Sequence, residues 1–339
     1  MIDLPAKLLD CANVKPPTSK LGANEVKALS SYCLFQDEWW LNLVTGGNWD
    51  EVSITNSDNV LARLPYVKRR RMGMDVLAQP KMTPYLGPWF RHSPAKEAYQ
   101  FSERRRWTAE LLYKLPRHDL FSQNLWPAIP DSLPFYWEGF SQTTYYTNWF
   151  SDLSNLEAIW SNFLDKSRWE IRKAEKKIKI VELNDVDRLC RLYKQTFEQQ
   201  DMAPPQRLEF VRRVAEGSLQ GGHARLTFAV DDNDNTHAGA LLLYDARSTH
   251  YTIGGSDKKF RSSGGASLLL WDAIKFASRT SSLFDFEGSM VEGISHFFRG
   301  FNPRLVPFSH ITRTSRRGAV GVACLNLFSS VVGRPTRRL

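Results

Sequence analysis

The chain has 339 residues, of which 42% are hydrophobic and 12% aromatic, enough to bury the cores of two ordinary domains. This composition excludes disorder over the whole chain. The formal net charge of +9 predicts attraction to polyanions, but it does not choose among nucleic acid, nucleotide-linked substrates and an anionic membrane face. No apolar run reaches the roughly 18 residues that cross a bilayer, and the amino terminus lacks the order of a secretory signal. We therefore expect a cytoplasmic protein with, at most, peripheral membrane contact.

The first half of the chain is predicted to follow an N-terminal arm over residues 1–24 and to span residues 25–165. Its predicted elements are a helix over 28–44, strands over 49–55, 60–67 and 74–78, a helix over 94–115, and strands over 120–125 and 135–147. Three prolines between residues 80 and 88 impose an irregular, extended path before the second of these helices.

The second half is predicted over residues 166–318, before a basic C-terminal tail over 319–339. A long helix is expected from residue 151 to about 179, and its last part carries seven Lys or Arg residues against two Glu. This basic face favours an anionic partner or, alternatively, is a solvated helix surface. Further helices are predicted over 186–198 and 206–217, and strands over 226–230, 237–244 and 308–312.

A strand, a basic glycine turn, a helix and a second strand then follow between Tyr251 and Ser289. The turn carries Lys258, Lys259 and Arg261 and ends at Gly264-Gly265-Ala266, where an apolar stripe predicts a helix packed on a sheet. A helix that starts just after two glycines exposes unpaired N–H groups and the positive end of its dipole, which suits a pyrophosphate.

The order of these elements resembles a known family. Arg261-x-x-Gly264-x-Ala266, between a strand and a helix, resembles the acyl-CoA pyrophosphate loop of the GNAT acyltransferase superfamily. The continuation Phe284-Asp-Phe-Glu-Gly-Ser289, with Ile294-x-x-Phe297-Phe298-x-x-Phe301, resembles the Fem-type branch of double-GNAT proteins, as does the basic Arg-Lys-Ala-x-Lys helix. The resemblance implies an α+β fold of two tandem GNAT-like halves, each a mixed, mainly antiparallel sheet flanked by helices. Because the first half has no matching loop, the resemblance implies that the donor binds to the second half.

Two carboxylates are the candidate catalytic groups. Asp285 and Glu287 alternate with phenylalanines, so both side chains should face one side of the strand. Either is a candidate general base, with Glu287 favoured because it lies nearer the strand end; the alternative is a structural ion pair or helix cap. Tyr251, with His250, lies on the preceding strand and is a candidate for the same cleft or, alternatively, for the core.

Further residues are candidates for binding. Lys258, Arg261, Gly264, Gly265 and Ala266 would hold the donor phosphates, unless the basic loop is only solvated. The predicted acceptor-binding residues are Arg172, Lys173, Glu138, Tyr145 and Arg299. Four cysteines and seven histidines lie without ligand or pairing spacing, and motifs of covalent nucleophiles are missing, so we predict neither a metal nor a covalent intermediate.

Together these features predict an acyltransferase. It would move an acyl group directly from an acyl-CoA-type donor to an amine, or a hydroxyl, of a cell-envelope or polysaccharide precursor or a similar small acceptor. One alternative is a transferase that uses aminoacyl-tRNA and acts on a peptidoglycan precursor. Another is a non-catalytic protein that binds polyanions through its basic faces.

Overall fold

The computed structural model describes residues 31–319 except 58, 130, 199–202 and 289–291. The described chain forms two compact units. The second unit is Tyr146–Pro307, and the first unit consists of residues 31–145 and 308–319. The predicted arm and almost all of the predicted tail lie outside the described residues. The units divide at residues 145 and 307, whereas the predicted boundaries are 165 and 318. The division lies at 307 because the last strand pairs within the first unit.

The first unit has a short 3-10 turn at Leu34–Gln36 and then nine elements. These are α1 (Glu38–Thr45), β1 (Asp50–Asn56), β2 (Asn59–Arg71), β3 (Met74–Ala78), β4 (Trp89–Phe90), α2 (Glu97–Lys114), β5 (Leu120–Asn124), α3 (Leu133–Trp137) and β6 (Ser141–Phe150). Strand β6 runs on into the second unit. The strand order is β1-β2-β3-β5, with β4 beside β2. Strands β3 and β5 are parallel, and the other pairs in this series are antiparallel.

The core of this unit lies between α2 and the sheet. Trp107, Leu111 and Leu112 of α2 are buried together with Leu64, Leu77 and Phe121 of the strands. Trp107 stacks on Phe90 with 6.4 Å between ring centroids. The basic run 68–71 is the end of β2, which pairs with β3 through Arg71↔Met74.

Two predicted elements of this unit begin elsewhere. The strand predicted over 135–147 starts as helix α3, because Pro134 occupies the first turn, where its missing N–H costs no hydrogen bond. Gly139, with φ +77°, ends that turn, and β6 begins only at Ser141. The helix predicted over 28–44 is α1, which begins at Glu38, and its first predicted residues lie outside the described part of the chain.

The second unit continues the series with a larger set of helices. Its elements are α4 (Leu156–Ser161), α5 (Asp165–Glu175), β7 (Ile178–Glu182), α6 (Val186–Glu198), α7 (Leu208–Gln220), β8 (Ala224–Asp231), β9 (Thr236–Tyr244), β10 (Ser248–Ser256), α8 (Gly265–Thr280), β11 (Leu283–Asp285) and α9 (Glu292–Arg299). The last strand, β12 (Arg304–Thr314), begins at the end of this unit and continues in the first. The strand order is β7-β8-β9-β10-β11-β6, in which β10 and β11 alone run parallel. Strand β12 pairs with β5 through His310–Thr314.

The long helix predicted from residue 151 is two helices. Asn162 caps the end of α4, and the Leu164 N–H donates to the carbonyl of Gly300 at 3.0 Å instead of to the preceding helical turn. The chain therefore turns before α5 begins at Asp165.

The predicted apolar stripe of α8 is confirmed. Leu269, Leu270, Ala273, Ile274 and Ala277 are all buried. They pack with Ile171 and Ala174 of α5 and with Phe284 and Phe286 around β11. Among the described helices, none combines the length and the apolar character needed to cross a bilayer.

Candidate active site

The two parallel strands of the second unit separate soon after they meet. Strands β10 and β11 pair through Ser248↔Leu283, Thr249↔Phe284 and His250↔Asp285. Strand β11 ends there, while β10 continues along β9 to Ser256, with a bulge between Tyr251 and Ile253. Bulges increase local twist and redirect side chains. The residues that follow His250 and Asp285 therefore stand at the point where the strands part.

A buried polar cluster occupies this point. His250 and Asp285 are fully buried, and the side chain of Glu287 is 18% exposed. Nδ1 of His250 lies 3.5 Å from Oδ2 of Asp285 and 4.0 Å from Oε1 of Glu287. The Thr252 hydroxyl donates to Oε1 of Glu287 at 2.9 Å, and Nε2 of His250 lies 2.9 Å from the Ser248 hydroxyl. The two carboxylates thus lie together.

The backbone of Glu287 has a rare conformation. Its φ is +51°, in the left-handed region that costs a residue with a side chain roughly 1–2 kcal/mol. Its N–H donates to Oδ1 of Asp285 at 2.8 Å, and the N–H of Gly288 donates to the Thr147 hydroxyl at 2.9 Å. Strain of this kind persists where surrounding contacts enforce it, and it concentrates at functional sites.

The environment of Glu287 suits proton exchange at neutral pH. Burial raises its pKa from 4.5 to about 7; the charge of His250 opposes this rise, the charge of Asp285 adds to it, and the bond from Thr252 opposes it. A general base works best when its pKa lies near the operating pH. A carboxyl with a pKa of about 7 can exchange a proton at neutral pH.

Tyr251 is partly buried and packs against the core around α8. Its ring packs edge-on against Phe298, with 6.2 Å between centroids, and adjoins the core around α8. Its hydroxyl covers Gly254, where a Cβ would lie 2.1 Å from that oxygen. Burial raises the pKa of Tyr251 to about 12, so the phenol stays protonated at neutral pH. The structure therefore does not bring Tyr251 into the cluster with Asp285 and Glu287.

The predicted donor loop lies at the start of α8. Gly264 has φ +80°, and a Cβ there would lie 2.6 Å from the carbonyl oxygen of Glu170. A Cβ on Gly265 would lie 2.9 Å from Cβ of His237, and its N–H donates to the Ser263 hydroxyl at 3.1 Å. The absence of a side chain at both glycines thus allows neighbouring segments of the protein to approach closely, and it would allow a ligand to do the same.

Charges of both signs surround this loop. Lys258 and Arg261 are exposed, and Ala266 is partly exposed in the first turn of α8. In the same turn, the Ser267 hydroxyl donates to Oε2 of Glu170 at 3.1 Å. The dipole of α8 and the basic side chains favour an anion here, whereas the carboxylate of Glu170 opposes it.

The predicted acceptor-binding residues are distributed over the two units. In the second unit, Arg172 lies over Trp160, Lys173 over Trp169, and Arg299 is exposed at the end of α9. In the first unit, Glu138 is exposed after α3, and the Tyr145 ring stacks on His310 with 4.9 Å between centroids. Within the described residues, these five side chains are not among the hydrogen-bond or ion-pair partners of Glu287.

Residues 161–297 match the family model described as an acetyltransferase (GNAT) domain. The crystal structure of FemX has the same fold over 91% of this chain and 96% of its own, with a TM-score of 0.61 and 13% identity. Residues 161–297 thus form a GNAT acetyltransferase domain, within a chain that has the fold of FemX. This confirms the resemblance carried by the loop at Arg261 and by the segment that follows Phe284, together with the predicted α+β class.

Other solved structures share this fold. The C-terminal domain of a putative lysylphosphatidylglycerol synthetase from Agrobacterium fabrum matches 88% of this chain and 93% of its own, with a TM-score of 0.52 and 12% identity. A conserved protein of unknown function from Bacteroides thetaiotaomicron matches 86% and 96%, with a TM-score of 0.50 and 11% identity. No curated protein matches the sequence. At these identities the similarity establishes the fold.

Proposed function

We propose that the protein transfers an acyl group from an acyl-CoA-type donor directly to an amine, with Glu287 as the general base. The observation that carries this proposal is the buried Glu287 carboxyl, held beside Asp285 and Thr252 where β10 and β11 part, with a pKa raised to about 7. An amine is protonated in water and must lose a proton before it attacks a carbonyl.

The reaction needs no bond to the enzyme. The amine nitrogen forms a bond to the acyl carbon, the carbon–sulfur bond of the thioester breaks, the amine proton passes to Glu287, and the released sulfur takes up a proton. Backbone N–H groups beside residues 251–254 would stabilise the oxyanion. Asp285 accepts a hydrogen bond from the Glu287 backbone, which suits an orienting role better than proton transfer.

The donor would lie at the start of α8. Lys258, Arg261 and the backbone of Gly264, Gly265 and Ala266 would hold its diphosphate, supported by the helix dipole. On the acceptor side, Arg172, Lys173 and Arg299 of the second unit offer positive charge. An anionic cell-envelope or polysaccharide precursor, met in the cytoplasm or at a membrane surface, fits this set.

A second candidate is aminoacyl transfer from charged tRNA to a peptidoglycan precursor. It is favoured by the basic surface of α5, where Lys166, Arg172 and Lys173 are exposed, and by the net charge of +9. Binding to tRNA through such a surface would depend steeply on salt, because each phosphate contact releases counterions.

Titration with CoA, acetyl-CoA and bulk tRNA over one salt series separates these functions. We expect CoA to raise the melting temperature, and Arg261→Glu to weaken CoA binding by at least about tenfold, as a change of two charge units near one phosphate implies. Lys194→Glu, an exposed cation on α6, is the matched control and should bind CoA normally. A response to tRNA alone supports the second candidate. An equal response to any polyanion, without acyl transfer, supports a binding protein and contradicts both.

A further inference from the structure

Thr147 lies at the centre of the turn that carries Glu287, although it belongs to β6. It is fully buried. Its hydroxyl donates to Oδ1 of Asp285 at 2.6 Å and accepts the N–H of Gly288 at 2.9 Å. A hydroxyl has one proton, so the donation to Asp285 and the acceptance from Gly288 use both of its roles.

Thr147 and Asp285 together bind two successive backbone N–H groups. Oδ1 of Asp285 accepts from the N–H of Glu287 at 2.8 Å, and the hydroxyl of Thr147 accepts from the next N–H. The hydroxyl also holds Oδ1 in place for the first of these bonds. The three bonds enclose the residue whose φ is +51°, and they offset the cost of that left-handed conformation.

The turn is pressed directly onto β6. A Cβ on Gly288 would lie 2.0 Å from the carbonyl oxygen of Tyr146 and 2.4 Å from Cα of Thr147, so a side chain at this position cannot be accommodated without a shift of the backbone. Contacts from β6 thus fix both the position and the conformation of the turn. The Glu287 carboxylate reaches Thr252 from this fixed backbone.

We propose that Thr147 is a positioning residue, whose hydroxyl fixes the turn 285–288 and thereby holds the Glu287 carboxylate in its enclosed position against Thr252. This inference rests on the proposed role of Glu287 as the base. Thr147 itself would touch neither donor nor acceptor. The titratable groups that the structure places against Glu287 are His250 of β10 and Asp285 of β11.

The test compares Thr147→Val, which has nearly the same shape without the hydroxyl, with Thr147→Ser, which keeps it. In Thr147→Val we expect kcat to fall about 10- to 100-fold with little change in the KM for the donor, since a displaced base loses part of the 10²–10⁴-fold that general-base catalysis contributes. The lower limb of the pH–rate profile should move to lower pH, because a released Glu287 becomes hydrated. Thr147→Ser should keep the wild-type profile.

Thr249→Val is the matched control. Thr249 is also fully buried, on β10, and its hydroxyl lies 2.8 Å from that of Ser281 rather than against the carboxylates. It reports the general cost of deleting a buried hydroxyl. We expect it to lower the melting temperature without moving the pH–rate profile. A wild-type profile and kcat in folded Thr147→Val, or an equal shift in Thr249→Val, would overturn the positioning role.

A second measurement uses stability instead of catalysis, and it compares several Thr147 variants, so that the failure of one variant to fold does not decide the result. The difference in melting temperature between each protein and its Glu287→Gln derivative, followed between about pH 5 and pH 8, reports the enclosure of the Glu287 carboxyl. We expect this pH-dependent difference to shrink in Thr147→Val and in Thr147→Cys, and to persist in Thr147→Ser. A difference that persists in all of them overturns the inference. A difference that shrinks in a protein with no transfer activity supports the positioning of Glu287 while refuting the proposed function.

Discussion

The two units contain the same local arrangement with different polar groups at its end. In the first unit, parallel strands β3 and β5 are joined through α2, and in the second, parallel strands β10 and β11 are joined through α8. Where β5 ends, the polar side chains are the amides of Gln123 and Asn124. Where β11 ends, they are the carboxylates of Asp285 and Glu287.

The amide side chains at the end of β5 donate hydrogen bonds to the backbone of neighbouring segments. The Asn124 side chain donates to the carbonyl of Pro84 at 2.8 Å, and the Gln123 side chain donates to that of Pro65 at 2.8 Å. The backbone of Leu86 also donates to Asn124 at 2.9 Å, so the proline-rich segment lies across the end of the strand. An amide neither gains nor loses a proton near neutral pH. The comparison teaches that the same strand–helix–strand arrangement ends in amides bonded to neighbouring backbone in the first unit and in a pair of carboxylates in the second.

The largest effect is expected from Glu287→Gln. We expect kcat/KM to fall about 10³-fold, because general-base catalysis contributes 10²–10⁴-fold and the amide cannot accept the proton. Steady-state kinetics with saturating donor measure this. Glu157→Gln, at an exposed site on α4, is the control and should retain activity. A comparable loss in Asn124→Ala, with the protein still folded, would break the comparison between the units.

The next effect concerns stability and pH. Because the pKa of Glu287 is about 7 in the folded protein and its usual value is 4.5, folding favours the protonated form. The stability that this group contributes is complete below about pH 4.5 and is lost as the pH rises through about 7. Glu287→Gln should therefore be more stable than the wild type at about pH 8, by up to about 3 kcal/mol, and similar at about pH 4. Urea denaturation at both pH values measures the difference; a constant difference would contradict it.

A pair of glycine substitutions sharpens the comparison further. Gly264 and Gly87 have φ +80° and +67°, and in each case a Cβ would lie under 3.0 Å from a neighbour, Glu170 or Leu125. Either change to Ala should destabilise its unit by about 1–3 kcal/mol. Only Gly264→Ala should also weaken CoA binding, which isothermal titration measures. Equal effects of both substitutions on CoA would show that the first unit also forms part of the donor site.

The smallest effect is expected from Glu170→Gln. Its carboxylate bonds Ser267 in the first turn of α8, so a donor phosphate placed there would meet a like charge. Removing the charge should tighten CoA binding by about three- to tenfold, which corresponds to roughly 1 kcal/mol. Pantetheine, which lacks the diphosphate, is the matched ligand and should bind both proteins equally. Tighter binding of pantetheine as well would indicate a change of shape rather than of charge.

Local patterns allowed much of this architecture to be predicted. The stripe of α8 and the limits of β3 follow from residues close together in sequence. The break before α5 does not, because it depends on the carbonyl of Gly300, which is remote in sequence. The strand alternation predicted for Asp285 and Glu287 does not hold, because β11 ends at Asp285 and Glu287 has a left-handed backbone.

The partners of Glu287 were the least predictable part of the site. Thr147 lies 138 residues before Asp285, and a single threonine in a strand carries no signal of its role. The left-handed backbone of Glu287 is equally hidden, since the sequence offers neither glycine nor asparagine there. Tyr251 shows a different limit: its position on β10 was predictable, but the contact of its ring with the core around α8 was not.

The left-handed, desolvated Glu287 also determines how this protein would respond to selection for thermal robustness alone. Replacement by glycine would relieve the torsional penalty, and replacement by glutamine would remove the cost of enclosing a charge. Both inactive proteins should outlast the parent on heating. Directed evolution that selects only for heat tolerance should therefore replace Glu287 early. If selection for both heat tolerance and turnover retains Glu287, activity depends on this residue.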